Sequence, residues 1–152
     1  MGEYTGPGTY SLVVGSDFDG DGRTDFAQFG TAMNAIWWEN SSTGMWDGFY
    51  MGAGTFDMVE GSDFDGDFIS DKAKFDSASN VLWWYGSVVP GWTGVWLGAQ
   101  PISYVAAADF DGDNMTDMAF FDDATNLVWW YSSAGATWMS QDMGAGTYEI
   151  VN

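Results

Sequence analysis

"SDFDGDGRTDFAQF" (16–29) puts four aspartates into its first ten residues and then becomes a short run of aromatic and small side chains. Near copies stand at 62–75, "SDFDGDFISDKAKF", and at 108–121, "ADFDGDNMTDMAFF". So many like charges in one loop repel, and hardly any basic residue is nearby to balance them.

The copies begin at Asp17, Asp63 and Asp109, a step of 46 residues and again 46. Other landmarks keep that step: Phe29/Phe75/Phe121, Asn34/Asn80/Asn126, Trp37-Trp38/Trp83-Trp84/Trp129-Trp130 and Trp46/Trp92/Trp138. "GTYSLV" (8–13) recurs as "GTFDMV" (54–59), loosely as "QPISYV" (100–105), and again as "GTYEIV" (146–151). The chain therefore reads as three units, approximately 5–50, 51–96 and 97–142, plus an extra strand over 143–152 that copies the start of a unit. The perfect register is what recent duplication or deliberate construction would leave.

Within each unit, runs rich in Val, Ile, Phe, Tyr and Trp alternate with Gly, Asn, Asp and Ser clusters, and no amphipathic helical period appears. Four strands are expected in the first unit, over 8–15, 25–30, 34–40 and 45–52, with equivalents 46 residues on. Four-stranded units of ~40–50 residues with aromatic signatures are the pattern of β-propeller blades. The expected fold is all-β.

The carboxylates fall at positions 1, 3, 5 and 9 of each loop: Asp17, Asp19, Asp21 and Asp25; Asp63, Asp65, Asp67 and Asp71; Asp109, Asp111, Asp113 and Asp117. Alternate positions let side chains converge while glycines let the backbone wrap around them. Hard oxygen ligands of this kind suit Ca²⁺, which takes six to eight oxygens in irregular geometry. The position-7 carbonyl (Arg23, Ile69 or Met115) and a water would complete each shell, about three ions per chain. The lack of Cys and His argues against zinc and copper; Mg²⁺, wanting a rigid octahedron, is the alternative. An EF-hand would need flanking helices and a Glu at position 12. The bland reading is a set of Asx-turn hairpins on a solvated face. Position 6 is Gly22, Phe68 or Asn114, so the second loop should bind most weakly if that position needs a left-handed backbone.

The D-x-D-G-D-G-x-x-D motif, with the "FAQF" strand and "IWW" after it, resembles the FG-GAP/VCBS-type repeat, the family of the calcium-binding blades of integrin α-subunit propellers. The resemblance covers essentially the whole chain. It implies calcium on the loop between the first two strands of each blade. The second loop departs from it at Phe68, and the number of blades departs more seriously.

Propellers have ~4–8 blades, and three would leave aromatic blade faces open to water. A homodimer closing a six-bladed ring is the expected solution; a fragment of a longer protein is the other.

Composition narrows the partners. The 152 residues are 46% hydrophobic and 18% aromatic, with a net charge of −19 and only Arg23, Lys72 and Lys74 as basic residues. Nucleic acid and membrane surfaces are therefore not expected partners. No run reaches the ~18 apolar residues of a membrane span, and the N-terminus reads as lacking a signal peptide. Catalysis is not expected. There is no His, and the acids outside the loops (Asp47, Asp57, Glu60, Asp76, Asp122, Asp123) form no distinctive pair. A calcium-dependent binding or adhesion module is expected, with a ligand-free structural or engineered scaffold as its rival. Trp46, Trp92 and Trp138, opening each outermost strand, are candidate stacking platforms for carbohydrate. Calcium sites working at ~0.1–1 mM point to an extracellular or cell-surface location.

Overall fold

The computed structural model describes residues 9–102, 104–133 and 135–146, and every regular element among them is a β-strand. Unit 1 holds β1 (Tyr10–Val13), β2 (Phe26–Gly30), β3 (Ala35–Glu39) and β4 (Trp46–Tyr50). Unit 2 holds β5 (Asp57–Val59), β6 (Lys72–Asp76), β7 (Val81–Tyr85) and β8 (Trp92–Trp96). Unit 3 holds β9 (Tyr104–Ala108), β10 (Asp117–Asp122), β11 (Leu127–Ser132) and β12 (Thr137–Asp142). Each unit is one four-stranded antiparallel sheet in sequence order. Four strands per unit were expected, and the observed spans lie inside the expected ones except β9, which runs one residue further, to Ala108. The strand expected over 143–152 falls mostly outside the described residues.

The repeated asparagines explain themselves locally. Asn34, Asn80 and Asn126 sit at φ 49°, 52° and 57° in the turn between the second and third strands. Asn enters this left-handed region more readily than other side chains. Their carbonyls accept hydrogen bonds from the N–H groups of Met51, Leu97 and Met143, at 2.8, 2.9 and 3.0 Å. The hairpin is thereby tied to the chain leaving the fourth strand.

The core lies in the seams between sheets. Val13, Phe18, Ala27, Phe29 and Ile36 of unit 1 pack with Met51, just after β4, and with Phe56 and Met58 of unit 2. Val59, Phe64, Ala73, Phe75 and Leu82 of unit 2 share a cluster with Leu97, just after β8, and with Met118 and Phe120 of unit 3. Each sheet thus buries its apolar face against the next one.

The tryptophan pairs divide between two surroundings, because neighbours on a strand point to opposite faces. Trp38 and Trp84 stack near Phe18 and Phe64, at centroid distances of 5.1 and 5.0 Å. Trp37 and Trp83 lie over glycines of the adjacent strand, where a Cβ on Gly48 or Gly94 would come within 2.4 or 2.6 Å of the indole. Trp37 is exposed, while Trp38, Trp83 and Trp84 are half-buried.

Two of the three basic residues are drawn into a seam. Lys72 is buried, its Nζ 5.2 Å from the Phe18 ring centroid and 5.1 Å from that of Trp38. Lys74 lies 4.5 Å from both the Phe56 and Trp92 centroids, and its Nζ donates to the Met51 carbonyl. Burial pulls both ammonium groups below their ordinary value, while Asp71 and Asp67 beside Lys72, and Asp76 beside Lys74, pull back. Cation–π contact is the compensation this environment offers.

Candidate metal centres

Each acidic loop joins the first strand of a unit to the second and folds the same way three times. The position-1 carboxylate gathers the loop's amides. Asp17 accepts from the N–H of Gly20 (2.7 Å) and Gly22 (2.8 Å). Asp63 accepts from Gly66 (2.7 Å) and Phe68 (2.8 Å), and Asp109 from Gly112 (2.6 Å) and Asn114 (3.0 Å). The position-9 carboxylate is buried and spans the loop. Asp25, Asp71 and Asp117 accept from the N–H of Phe18, Phe64 and Phe110 at 2.8, 2.8 and 2.9 Å. Their other oxygens accept from Ser41, Ser87 and Ser133 at 2.9, 2.9 and 2.8 Å.

These bonds bring positions 1, 3 and 9 together. The triads Asp17/Asp19/Asp25, Asp63/Asp65/Asp71 and Asp109/Asp111/Asp117 each offer three carboxylate oxygens within 4.8 Å of one another. Three acidic clusters able to hold a metal ion therefore stand at equivalent places in the three units. Position 5 lies outside the triads. Asp21, Asp67 and Asp113 accept from the position-7 N–H groups of Arg23, Ile69 and Met115, at 2.9, 2.8 and 2.7 Å. Their second oxygens accept from the hydroxyls of Ser41, Ser87 and Ser133, at 2.8, 2.6 and 2.8 Å. Those serines were not picked out beforehand, although their common 46-residue step is visible in the sequence.

Asx-type hydrogen bonds thus coexist with the triads. They account for part of the carboxylate preference, since Asp17, Asp21 and Asp25 accept through both oxygens where an asparagine has one. Aspartate adds mutual repulsion where the carboxylates crowd together. Nine of the 22 acidic residues, three in each of three loops, belong to the triads. A cation relieves that repulsion. The Asp19 oxygens each accept one backbone N–H and keep lone-pair capacity. Asp117, by contrast, already accepts four hydrogen bonds, from the N–H groups of Phe110, Asp111 and Ser133 and the Ser133 hydroxyl. The donors are all hard oxygens, which fits an alkaline-earth ion.

The second loop places a bulky side chain in the left-handed region. Phe68 adopts φ 68°, the same as Asn114 at 68° and close to Gly22 at 82°. A bulky side chain there costs roughly 1–2 kcal/mol, and nothing is recovered by packing, since Phe68 is 74% exposed. Phe68→Asn is expected to stabilise the protein by about 1 kcal/mol, raising Tm by about 2–4 °C. A melting curve that is unchanged or shifted down would contradict this.

Protonation separates the loops as well. Desolvation pushes Asp19 up, but the amides of Ser42 and Asp21 outweigh it and leave it below its ordinary value. Asp71 is pushed up to about 6, chiefly by burial, with the charges of Asp65 and Asp63 adding and the N–H groups of Phe64 and Ser87 opposing. Asp65 moves the same way, through desolvation and its neighbours Asp67 and Asp63. With Asp71 raised in the folded state, the metal-free protein holds the extra proton between pH ~4 and ~6. Its contribution to stability is complete below that window and lost as pH rises through it. A metal needs the ionised carboxylate, so affinity runs the opposite way. Calcium binding at the second loop is expected to weaken about tenfold between pH 7.5 and 5. A loop-resolved NMR titration at the two pH values checks this, and equal affinities would refute it.

The three tryptophans that open the outermost strands are not alike. Trp92 packs against Phe49 (6.1 Å) and Tyr85 (5.6 Å), with Lys74 over its ring. Trp138 packs edge-on against Phe120 (5.5 Å) and Tyr131 (5.4 Å). Trp46 is exposed to the same degree as Trp92, 38% against 37%. No protein-family model matches the chain, and no curated protein is significantly similar to it.

Proposed function

We propose that the chain is a calcium-binding β-propeller module, a run of three blades that acts by binding and not by covalent chemistry. The observation behind this reading is the threefold recurrence of one carboxylate triad at one place in the sheet. Calcium is preferred to magnesium because the donors come from an irregular loop and not a rigid octahedral frame. The absence of His and Cys from the sequence disfavours zinc. A non-catalytic role is supported by the basic residues, since Lys72 and Lys74 are committed to a seam and the acids of the loops to one another. Working affinities of ~0.1–1 mM would suit an extracellular or cell-surface setting.

Two kinds of duty fit such a module. Carbohydrate recognition needs an exposed indole, and Trp46 and Trp92 are exposed to 38% and 37%. A scaffold whose only ligand is calcium is favoured by the engagement of Trp92 and Trp138 with their own neighbours. Titration calorimetry with CaCl₂ and MgCl₂ tests the metal reading: about three calcium sites per chain and weaker magnesium binding are expected, and no calcium heat would overturn it. Tryptophan fluorescence against a glycan panel separates the two duties.

A further inference from the structure

The two seams inside the chain are built from one set of repeated contacts. In the first, the Ser70 N–H donates to the Asp17 carbonyl (2.6 Å) and the Asp17 N–H donates to the Ser70 hydroxyl (2.9 Å). In the second, Thr116 and Asp63 repeat the pair at 2.7 and 2.8 Å. The position-7 side chain of the following unit lies on the position-4 glycine of the preceding one. A Cβ on Gly20 would stand 2.9 Å from Ile69, and one on Gly66 2.8 Å from Met115. Lys72 and Met118 fill the place beside Phe18–Trp38 and Phe64–Trp84, leaving those phenylalanines only 8% and 7% exposed.

Both ends of the chain carry one half of this set. On unit 3, no hydrogen bond is described for the Asp109 main chain, Gly112 has nothing within 4 Å of its would-be Cβ, and Phe110, beside Trp130, is 46% exposed. On unit 1, the equivalents of Ser70, Ile69 and Lys72 are Thr24, Arg23 and Phe26. All three are exposed, Phe26 to 70%, as is Leu12, whose equivalent Met58 packs into the first seam. Charge matches too. Arg23, the one basic residue outside the seam, would lie over the third acidic loop, Asp109 to Asp117.

We propose that unit 3 of one chain docks on unit 1 of a second copy, through the same contacts that join the units within a chain. Thr24 pairs with the main chain of Asp109, Arg23 covers Gly112, and Phe26 enters beside Phe110 and Trp130. The contact is head-to-tail, so it ends only when a ring closes. Among multiples of three blades, six alone falls within the ~4–8 that close into propellers, so the assembly is a pair. This inference stands apart from the metal reading, since it rests on the seams.

Native mass spectrometry and sedimentation velocity of the full chain test it. The expected mass is twice 16.6 kDa. Phe26→Asp and Phe110→Asp should each weaken self-association by roughly a hundredfold or more, while circular dichroism shows the sheets retained. Val89→Asp, at an exposed loop of unit 2, should leave the mass unchanged. Mixing the Phe26→Asp and Phe110→Asp chains should restore a one-to-one pair, because one wild-type seam can still form between them. A folded monomer at micromolar concentration, including one capped by its own 143–152 segment, would overturn the proposal. So would a trimer or filament, a pair indifferent to Phe26→Asp, or failure of the two variants to complement.

Discussion

Removing divalent cations with EDTA is expected to lower the melting temperature by about 8–16 °C relative to the protein in 1 mM calcium. The magnitude follows from mass action. A site with Kd ~0.1 mM contributes about 1.4 kcal/mol at that concentration, and three independent sites about 4 kcal/mol. For a chain of this length each kcal/mol moves Tm by about 2–4 °C. The direction follows from charge. Three bound Ca²⁺ ions change the formal charge from −19 to −13, since 3 × 2 = 6. They relieve repulsion where it is densest, inside the triads. Asp17 and Asp63 belong to triads and also hold the neighbouring unit through their main chains. Metal loss should therefore loosen the seams along with the loops. Differential scanning calorimetry with and without EDTA measures the effect; coincident transitions would dispose of the metal reading while leaving the proposed pairing of copies open.

Leu82→Ala should destabilise the protein by about 3 kcal/mol or more, and Ile36→Ala by a similar amount. Both side chains are fully buried, one in each seam. Truncation leaves a cavity between two sheets that are pinned together by the Asp–Ser and Asp–Thr pairs, so collapse around it is restricted. The equivalent residue of unit 3, Val128, is only half-buried, and Val128→Ala should cost appreciably less. Urea unfolding of the three variants at one protein concentration decides it. Equal losses at positions 36, 82 and 128 would mean that unit 3 is as well covered as the other two.

The strands, their order and the place of the acidic loops were legible in the sequence because each depends on local chemistry. Val, Ile, Phe and Trp runs with Gly, Asn and Asp between them admit little but short antiparallel strands. The step of 46 residues then makes each unit's reading a check on the others. Phe68 shows the limit of such reading: strain at position 6 depended on a backbone angle, and the φ of 68° supplies it.

Other features belong to the tertiary structure because they join residues about 50 apart, or hinge on which side of a strand is covered. That Lys72 and Lys74 lie among aromatic rings follows from where the second sheet packs on the first. The hydroxyls of Ser70 and Thr116 look like ordinary loop residues until the sheets meet and they bridge to Asp17 and Asp63. The contact of Trp92 with Phe49 of the unit before it has the same origin. In "SDFDGDGRTDFAQF" the sequence by itself determined a turn, a strand and a set of carboxylates spaced to converge. Only packing decided that the loop's backbone holds the next sheet through Ser70, because that depends on the path of the whole chain.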